Sequence, residues 1–218
     1  MKQNYQLLME QLIAELQAGF SAQKPPRMLL HSCCAPCSSS VIQRLADVFE
    51  VTVFYYNPNI DTRDEYLIRA GEQSRLIQHY NTIQAFRHRI DYRMAEYRHE
   101  QFLTVAADYA DCPEGGARCG QCLRLRIAAT AEEARSGGFD FFCTTLTVSP
   151  LKNAEKINAI GMDLSTESCR WLPNDFKKKN GYLESIHLSK EFGLYRQDYC
   201  GCEYSRRKDQ TGTAHTAD

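Results

Sequence analysis

Apolar residues recur at two spacings along this chain, and the spacings predict alternating helices and strands. Those between residues 3 and 20 fall on one face of an amphipathic helix; they are Leu7, Leu8, Leu12, Ile13 and Leu16. Further helices are predicted over 38–47, 61–80, 93–107, 121–135, 152–162 and 181–192. Runs of β-branched and aromatic residues predict strands over 27–31, 51–56 and 139–145, with a weaker signal over 83–86. Residues 108–120, with Pro113, Gly115 and Gly116, form a predicted loop.

This alternation indicates an α/β fold, a mainly parallel sheet with helices on both faces. In such sheets, sites lie outside the carboxyl ends of the strands. The polar segments 31–37, 57–60 and 144–147 each follow a predicted strand, so we expect them to converge at one edge. Residues 1–202 are predicted to form a single domain that includes the N-terminal helix. The polar tail 203–218 is predicted to be disordered.

Composition narrows the function classes. With a hydrophobic content of 43% the 218 residues can bury a sizeable core, and the formal net charge is −1. No global positive field attracts nucleic acid, so any RNA contact requires a local basic patch. The N-terminus lacks the apolar core of a signal peptide, and no stretch reaches the length of a membrane span. A cytoplasmic protein with no membrane partner is expected.

Ten cysteines form the most informative feature. They occur as three groups, 33–34–37, 112–119–122 and 200–202, with Cys143 and Cys169 apart from them. In a reducing compartment, clustered cysteines indicate metal binding or redox chemistry more often than structural disulfides. Cys143 lies in an apolar run and is interpreted as a core residue, as is Cys169. The role of Cys112 is left open.

The spacing of two cysteine pairs favours a 4Fe–4S cluster. Adjacent Cys33 and Cys34 suit a large cluster better than one small tetrahedral ion, because neighbouring side chains diverge. Cys119 and Cys122 have a CxxC spacing that brings two sulfurs together at a helix start. Two plus two supplies the four thiolates that such a cluster requires. Structural zinc on four cysteines is the alternative.

The remaining cysteines allow more than one interpretation. Cys200 and Cys202 flank one glycine and could form a strained disulfide that is readily reduced, which would relay two electrons. They could equally be further ligands or inert thiols. Cys37 could bind a second metal beside the cluster or lie at the start of a helix.

The segment Ser136-Gly-Gly-Phe-Asp140 looks like a pyrophosphate loop. Such a loop must follow a strand and open a helix, so that backbone amides can hold phosphate. Here the segment precedes the predicted strand 139–145, and cysteines occupy the position after the first strand. The sequence therefore predicts that the chain has no ATP loop.

Six motifs stand in order between Leu29 and Cys202. They are His31-Ser-Cys-Cys-Ala-Pro-Cys37; Tyr56-Asn-Pro-Asn-Ile60 with Glu65, Tyr66 and Arg69; Arg118-Cys-Gly-Gln-Cys122 with Arg124 and Arg126; Thr144-Thr-Leu-Thr-Val-Ser149 with Lys152; Asp175-Phe-Lys-Lys-Lys179 with Gly181; and Leu194-Tyr-Arg-Gln-Asp-Tyr-Cys-Gly-Cys202. With these motifs the chain resembles the QueH-type epoxyqueuosine reductases. Residues 162–172, with Cys169, depart from the pattern.

The resemblance implies a fold related to the pyrophosphate-loop α/β proteins, a 4Fe–4S cluster and a nearby mononuclear iron. It implies reduction of epoxyqueuosine in the anticodon loop of tRNA to queuosine, the last step of queuosine biosynthesis, with electrons from an unidentified donor. Carried over by position, the cluster ligands would be Cys33, Cys34, Cys119 and Cys122, and the redox pair Cys200 and Cys202. Cys37, Cys200 and Cys202 are candidates for the second iron.

Two further roles follow from this chemistry. RNA would be read by stacking and backbone contacts, for which the candidate cations are Arg124, Arg126, Lys177, Lys178, Lys179 and Arg196. Asp198, Tyr199 and His31 are candidate proton donors to the leaving oxygen. Two alternative functions stay open at this point: an adenylylsulfate-type iron–sulfur reductase, and a zinc-stabilised RNA-binding module.

Overall fold

Five short strands form one parallel sheet in the computed structural model, which describes residues 3–19 and 25–206. The strands are β1 (Arg27–Ser32), β2 (Glu50–Tyr55), β3 (Asp91–Met94), β4 (Phe141–Thr144) and β5 (Arg170–Trp171). Their order across the sheet is β3-β2-β1-β4-β5, and every neighbouring pair is parallel.

Helices connect the strands and pack in two groups. They are α1 (Tyr5–Gly19), α2 (Ala35–Leu45), α3 (Arg63–Thr82), α4 (His99–Ala106), α5 (Ala117–Ser136), α6 (Ala154–Asp163) and α7 (Gly181–Glu191). Helix α2 packs on α3 and α7, whereas α5 packs on α4 and α6. The predicted α/β fold is confirmed. None of the helices in residues 3–19 and 25–206 combines the length and apolarity needed to cross a membrane.

The direction of chain progression reverses between β1 and β4. The chain moves outward from β1 through β2 to β3, then returns to the other side of β1 to form β4 and β5. Right-handed crossovers place the helices of the two halves on opposite faces, so the loops that leave β1 and β4 diverge and open a crevice. The first cysteine group directly follows β1, at this switch point.

The central strands are buried on both faces, which explains their continuous apolar runs. Met28, Leu29 and Leu30 of β1 are fully buried, and Leu30 pairs with Cys143 of β4. Cys143 is itself fully buried, and Cys169 is 2% exposed. The interpretation of both thiols as core residues is therefore confirmed.

The region between α3 and α4 differs from the prediction. No strand forms over 83–86: Ile83 ends α3 with 56% of its surface exposed, and Gln84 adopts a left-handed φ of 49°. The predicted helix 93–107 is wrong at its start, because β3 occupies 91–94 and α4 begins at His99. β3 lies at the sheet edge with most side chains exposed, so it lacks the apolar pattern that marks a strand.

Several boundaries also differ from the prediction. Helix α2 begins at Ala35 and α5 at Ala117, so each cysteine pair lies nearer to the body of a helix than predicted. The two-residue strand β5 falls in 162–172, where no strand was predicted. Residues Glu203–Ser205 form a 3-10 turn, and residues 207–218 of the predicted tail lie outside the described residues.

Candidate metal centre

Three polar loops meet at the carboxyl edge of the sheet. The His31 ring places Nδ1 2.7 Å from Thr144 Oγ1 and Nε2 3.0 Å from the Tyr56 carbonyl oxygen. Because a carbonyl only accepts, Nε2 carries the proton and Nδ1 accepts from the threonine hydroxyl. Asn57 Nδ2 donates to the Ser32 carbonyl at 2.9 Å. The predicted convergence of the loops after β1, β2 and β4 is confirmed.

His31 is a structural element of this edge. Burial, with repulsion from Arg126, lowers the pKa of His31 to about 4. The ring is therefore neutral at neutral pH, and both nitrogens are engaged by the neighbouring loops. His31 thus orders the loops that carry the cysteines, and it has no free proton for a substrate.

The first thiol group consists of Cys33, Cys34 and Cys37. Cys34 is the N-cap of α2 in an extended conformation, and Cys37 lies in the first turn of that helix. The three sulfur atoms lie within 4.8 Å of one another, and those of Cys33 and Cys34 are 3.7 Å apart. Free amides at a helix start stabilise thiolates and the groups they bind. The first thiol group is thus preformed for a metal.

Hydrogen bonds among these three thiols couple their ionisation. Hydrogen bonds from the Cys34 and Cys37 thiols, against the effect of burial, hold the pKa of Cys33 well below its ordinary value. The same interaction raises the pKa of Cys34 to about 12 and also raises the pKa of Cys37. A bound cation would release the remaining protons, because metal ligands are thiolates.

The second thiol group consists of Cys119, Cys122, Cys200 and Cys202, which come from two segments of the chain. Cys119 and Cys122 lie in the first turns of α5, and Cys119 Sγ accepts from the Gly115 amide at 3.2 Å. Cys200 and Cys202 lie in the segment 194–206, which we call the strap. All four side chains line a cavity of about 140 Å³. The sequence-predicted redox pair therefore faces the predicted CxxC ligands.

A larger cavity of about 410 Å³ is lined by the first thiol group. Arg126, Lys152 and Cys200 line both cavities. Lys152 Nζ donates to Cys200 Sγ at 2.9 Å. The two thiol groups therefore border one crevice, and Cys200, the two cations and the exposed Glu114 line both of its parts.

The hydrogen bonds that buried polar atoms lack around this crevice indicate which kind of group would fit in it. Around it, four buried N–H donors have no hydrogen-bond partner in the described part of the chain: Arg69 Nη2, Gln73 Nε2, Arg118 Nε and Arg126 Nε. Two buried acceptors of cavity-lining residues, Asn59 Oδ1 and Gln197 Oε1, are also unpaired there, so the unpaired donors outnumber the unpaired acceptors. The arginines line the cavities, and Gln73 Oε1 accepts from Ser32 and Ser38, which flank the first thiol group. Unpaired buried donors are costly. An anionic, acceptor-rich group such as an iron–sulfur cluster fits this donor set.

A family model described as Epoxyqueuosine reductase QueH matches residues 28–208 of the chain. This range contains both thiol groups and the whole strap. The chain belongs to the QueH family.

Curated relatives agree over most of their length. Epoxyqueuosine reductase QueH of Staphylococcus epidermidis is 36% identical over 210 residues, covering 95% of this chain and 86% of the relative. The protein of the same name from Streptococcus pyogenes is 36% identical over 207 residues, covering 94% of this chain and 79% of the relative. The one from Thermotoga maritima is 35% identical over 182 residues, covering 82% and 89%.

In this QueH chain the strap is held at its turn by the loop after β2. Asn59 Nδ2 and Arg69 Nη1 donate to the Cys200 carbonyl at 3.3 and 3.4 Å, and the Asp61 amide donates to the Gly201 carbonyl at 2.9 Å. Gly201 has φ 120°, and a Cβ there would lie 3.0 Å from Ile60. Only glycine fits this turn without strain. The turn thereby sets the positions of the two flanking thiols.

The three arginines predicted to bind RNA differ in their exposure and in their partners. Arg126 is 2% exposed and faces the thiol crevice, so it offers no surface to an RNA backbone. Arg124 is exposed but pairs with Asp163 at 2.9 Å. Arg196 is exposed and lines the larger cavity. Of these three arginines, Arg196 is the one placed to contact a substrate entering the crevice.

The three lysines lie in a turn directly before α7. Lys177 pairs with Asp175 at 2.6 Å and Lys179 with Glu10 at 2.5 Å, whereas Lys178 is exposed. They therefore lie at the entrance of this helix. The predicted start of a helix at Gly181 is confirmed, because α7 begins there. A Cβ at this position would overlap the Phe176 carbonyl, so glycine lets the turn close against the helix.

Asp198 and Tyr199, the other two candidate proton donors, both line the larger cavity. Burial raises the pKa of Tyr199, whose hydroxyl donates to Asp61 Oδ1 at 3.2 Å. Arg69 and Lys152 are among the site residues that had no role assigned from the sequence. Arg69 pairs with Glu65 one turn earlier, which in a sequence is typical of a solvent-exposed helix face.

Proposed function

We propose that this chain reduces the epoxide of epoxyqueuosine in the anticodon loop of tRNA to the alkene of queuosine. This is the last step of queuosine biosynthesis. The observation that carries the proposal is the family match over residues 28–208, a range that includes every cysteine of the crevice. The size and charge of the crevice support it, since the larger cavity of about 410 Å³ has room for a modified nucleoside.

The proposed cofactor is a 4Fe–4S cluster held by Cys33, Cys34, Cys119 and Cys122, two from each thiol group. The proximity of Cys37 to Cys33 and Cys34 supports Cys37 as a ligand of a second iron. When bound, the cluster supplies electrons one at a time, and an iron with an open position acts as a Lewis acid.

The reaction consumes two electrons and two protons. Both bonds from carbon to the epoxide oxygen break, a carbon–carbon double bond forms, and the oxygen leaves as water. Oxidation of the Cys200 and Cys202 thiols to a disulfide releases two electrons and two protons, which balances the reaction. An external donor, a reduced electron-transfer protein or a small-molecule reductant, must then restore the thiols.

Residues of this chain position the thiol pair, deliver protons and bind the RNA. Lys152 holds the Cys200 sulfur, and the docked turn at Gly201 keeps the pair at the crevice. Asp198 and Tyr199 line the larger cavity and are the candidates for delivering a proton to the leaving oxygen, Tyr199 only after its hydroxyl turns away from Asp61. Arg196 at the same cavity could hold a phosphate of the RNA.

Analysis of tRNA nucleosides tests this function. A bacterial strain that lacks its own epoxyqueuosine reductase accumulates epoxyqueuosine, and expression of this chain should convert that pool to queuosine, as measured by mass spectrometry. The chain with Cys33→Ala and Cys119→Ala serves as the control and should leave the epoxide in place. Persistence of epoxyqueuosine with the unaltered, iron-loaded chain contradicts the proposal. Zinc in place of iron and sulfide would favour an RNA-binding module.

A triple Lys177→Ala, Lys178→Ala, Lys179→Ala variant should bind tRNA more weakly and with a shallower salt dependence. Each lysine–phosphate ion pair that the variant cannot form should reduce the slope of log affinity against log salt by about 0.7–0.9. Because Lys177 and Lys179 already have carboxylate partners, we expect the effect of one or two such ion pairs rather than three. Binding is measured by titration at several salt concentrations.

The control for this variant is Lys190→Ala, an exposed lysine in the last turn of α7. It should leave both affinity and slope unchanged, and both proteins should keep their iron. Equal slopes for the triple variant and the unaltered chain would show that the lysine turn is a solvated surface.

A further inference from the structure

A single arginine occupies the boundary between the two thiol groups. Arg126 lies on α5 one helical turn after Cys122, so both side chains point from the same helix face. It is 2% exposed and lines both cavities. The guanidinium is thus fixed inside the crevice that the cysteines border.

The charge of this arginine has no carboxylate partner. Arg126 Nη1 donates to Asn57 Oδ1 at 3.1 Å, and Nε is buried without a partner. Within residues 3–19 and 25–206, no aspartate or glutamate forms an ion pair with it. Arg69 offers the contrast: it is equally buried, and Glu65 lies 2.6 Å away. A buried charge requires compensation, so the counter-charge of Arg126 must come from another kind of group.

The thiols are the groups that surround it. Burial opposes the charge of Arg126, whereas the thiolate forms of Cys122, Cys200, Cys33 and Cys202 favour it and raise its pKa. These cysteines belong to both thiol groups. An arginine keeps its charge at every accessible pH, so its effect on the site does not depend on titration.

We propose that Arg126 is the positioning residue that sets the reduction potential of the iron–sulfur site by its fixed positive charge. One-electron reduction adds one negative charge to the site and makes or breaks no bond. A positive charge in a poorly solvated crevice stabilises the reduced form more than the oxidised form. Net charge and hydrogen bonds to sulfur set the potentials of such clusters. This inference rests on the proposed function, because it requires the cluster.

The test is a redox titration of the anaerobically reconstituted full chain, followed by the electron paramagnetic resonance signal of the reduced cluster. Arg126→Gln removes the charge and should lower the midpoint potential. We expect a decrease of at least tenfold in the equilibrium constant for reduction, or about 59 mV for one electron. Arg124→Gln, an exposed site two residues earlier on the same helix, should leave the potential unchanged. An unchanged potential in Arg126→Gln overturns the proposal.

A second variant neutralises the charge in place. Asn57→Asp keeps the size of the side chain that accepts from Arg126 and adds a carboxylate beside the guanidinium. Its potential should also fall, and an unchanged potential overturns the proposal if Arg126→Gln fails to hold iron. If neither variant holds iron, Arg126→Lys decides. Normal loading with lysine supports a requirement for charge, whereas loss of iron with lysine shows that the site depends on the shape or hydrogen bonds of the guanidinium and overturns the proposal.

These outcomes are separate from a failure of the proposed function. If the unaltered chain binds no iron and sulfide, the cofactor assignment is wrong. If it binds both and converts epoxyqueuosine, while Arg126→Gln keeps the same potential, only the role of Arg126 is wrong.

Discussion

Alanine at Cys119 should strip iron and acid-labile sulfide from the protein and bring epoxide reduction to background. Removal of this thiolate leaves the proposed cluster with three ligands at a site whose neighbouring donors remain unpaired. Loss of outer-sphere partners alone costs about 10–100-fold in metal affinity or activity, so loss of a ligand should exceed about 100-fold. Iron, sulfide and brown charge-transfer absorbance per chain are measured after anaerobic purification.

Cys143→Ala is the matched control for Cys119→Ala. Cys143 is fully buried in β4 and lies outside both cavities. Its truncation should lower the free energy of unfolding by about 1–2 kcal/mol through poorer packing and leave iron and sulfide at the level of the unaltered chain. A full complement of iron and sulfide in Cys119→Ala would show that the cluster uses another set of cysteines, with Cys37 the first to test.

Serine at Cys200 or Cys202 should abolish turnover and preserve the cluster spectrum. A serine cannot join a disulfide, so the proposed two-electron relay is lost while the four proposed cluster ligands stay intact. We expect a decrease in turnover of about 10²–10⁴-fold, the range that single catalytic groups contribute. Single-turnover assays on the prereduced protein, with absorbance spectra of the same sample, measure both properties.

Cys169→Ser provides the comparison for these serine variants, because Cys169 is buried directly before β5 and lines neither cavity. It should keep both spectrum and turnover. Loss of the cluster in Cys200→Ser or Cys202→Ser would instead make the strap thiols cluster ligands. Retained turnover in both would remove the pair from the reaction.

Strands buried on both faces could be predicted from the sequence, whereas the edge strands could not. The run Met28–Leu30 is apolar without interruption because both faces of β1 are covered. β3 is mostly exposed and β5 has two residues, so neither carries enough apolar signal to distinguish a strand from a helix or loop. The position of Cys33 at the edge of the sheet could be predicted because it directly follows a predicted strand.

In the candidate site, too, some features could be predicted from the sequence and others could not. Adjacent cysteines and a CxxC spacing are local patterns, and the structure places both at the crevice. The orientation of Arg126 was not predictable, because an arginine at helical spacing gives the same pattern whether it faces RNA or a buried crevice. The ion pair between Lys179 and Glu10 could not be predicted for another reason, because Glu10 lies on α1, far away in the sequence.

Because the donors around the crevice are unpaired, the stability of the folded chain should depend on the supply of iron. Each unsatisfied buried donor costs about 1–3 kcal/mol, and domains are stable by only about 5–15 kcal/mol in total. A cofactor that binds only the folded state and accepts from these donors raises the free energy of unfolding, by mass action. In an iron-starved cell the chain would open more often, and proteases act on the opened form. Scarcity of the metal would then reduce the amount of the enzyme as well as its activity.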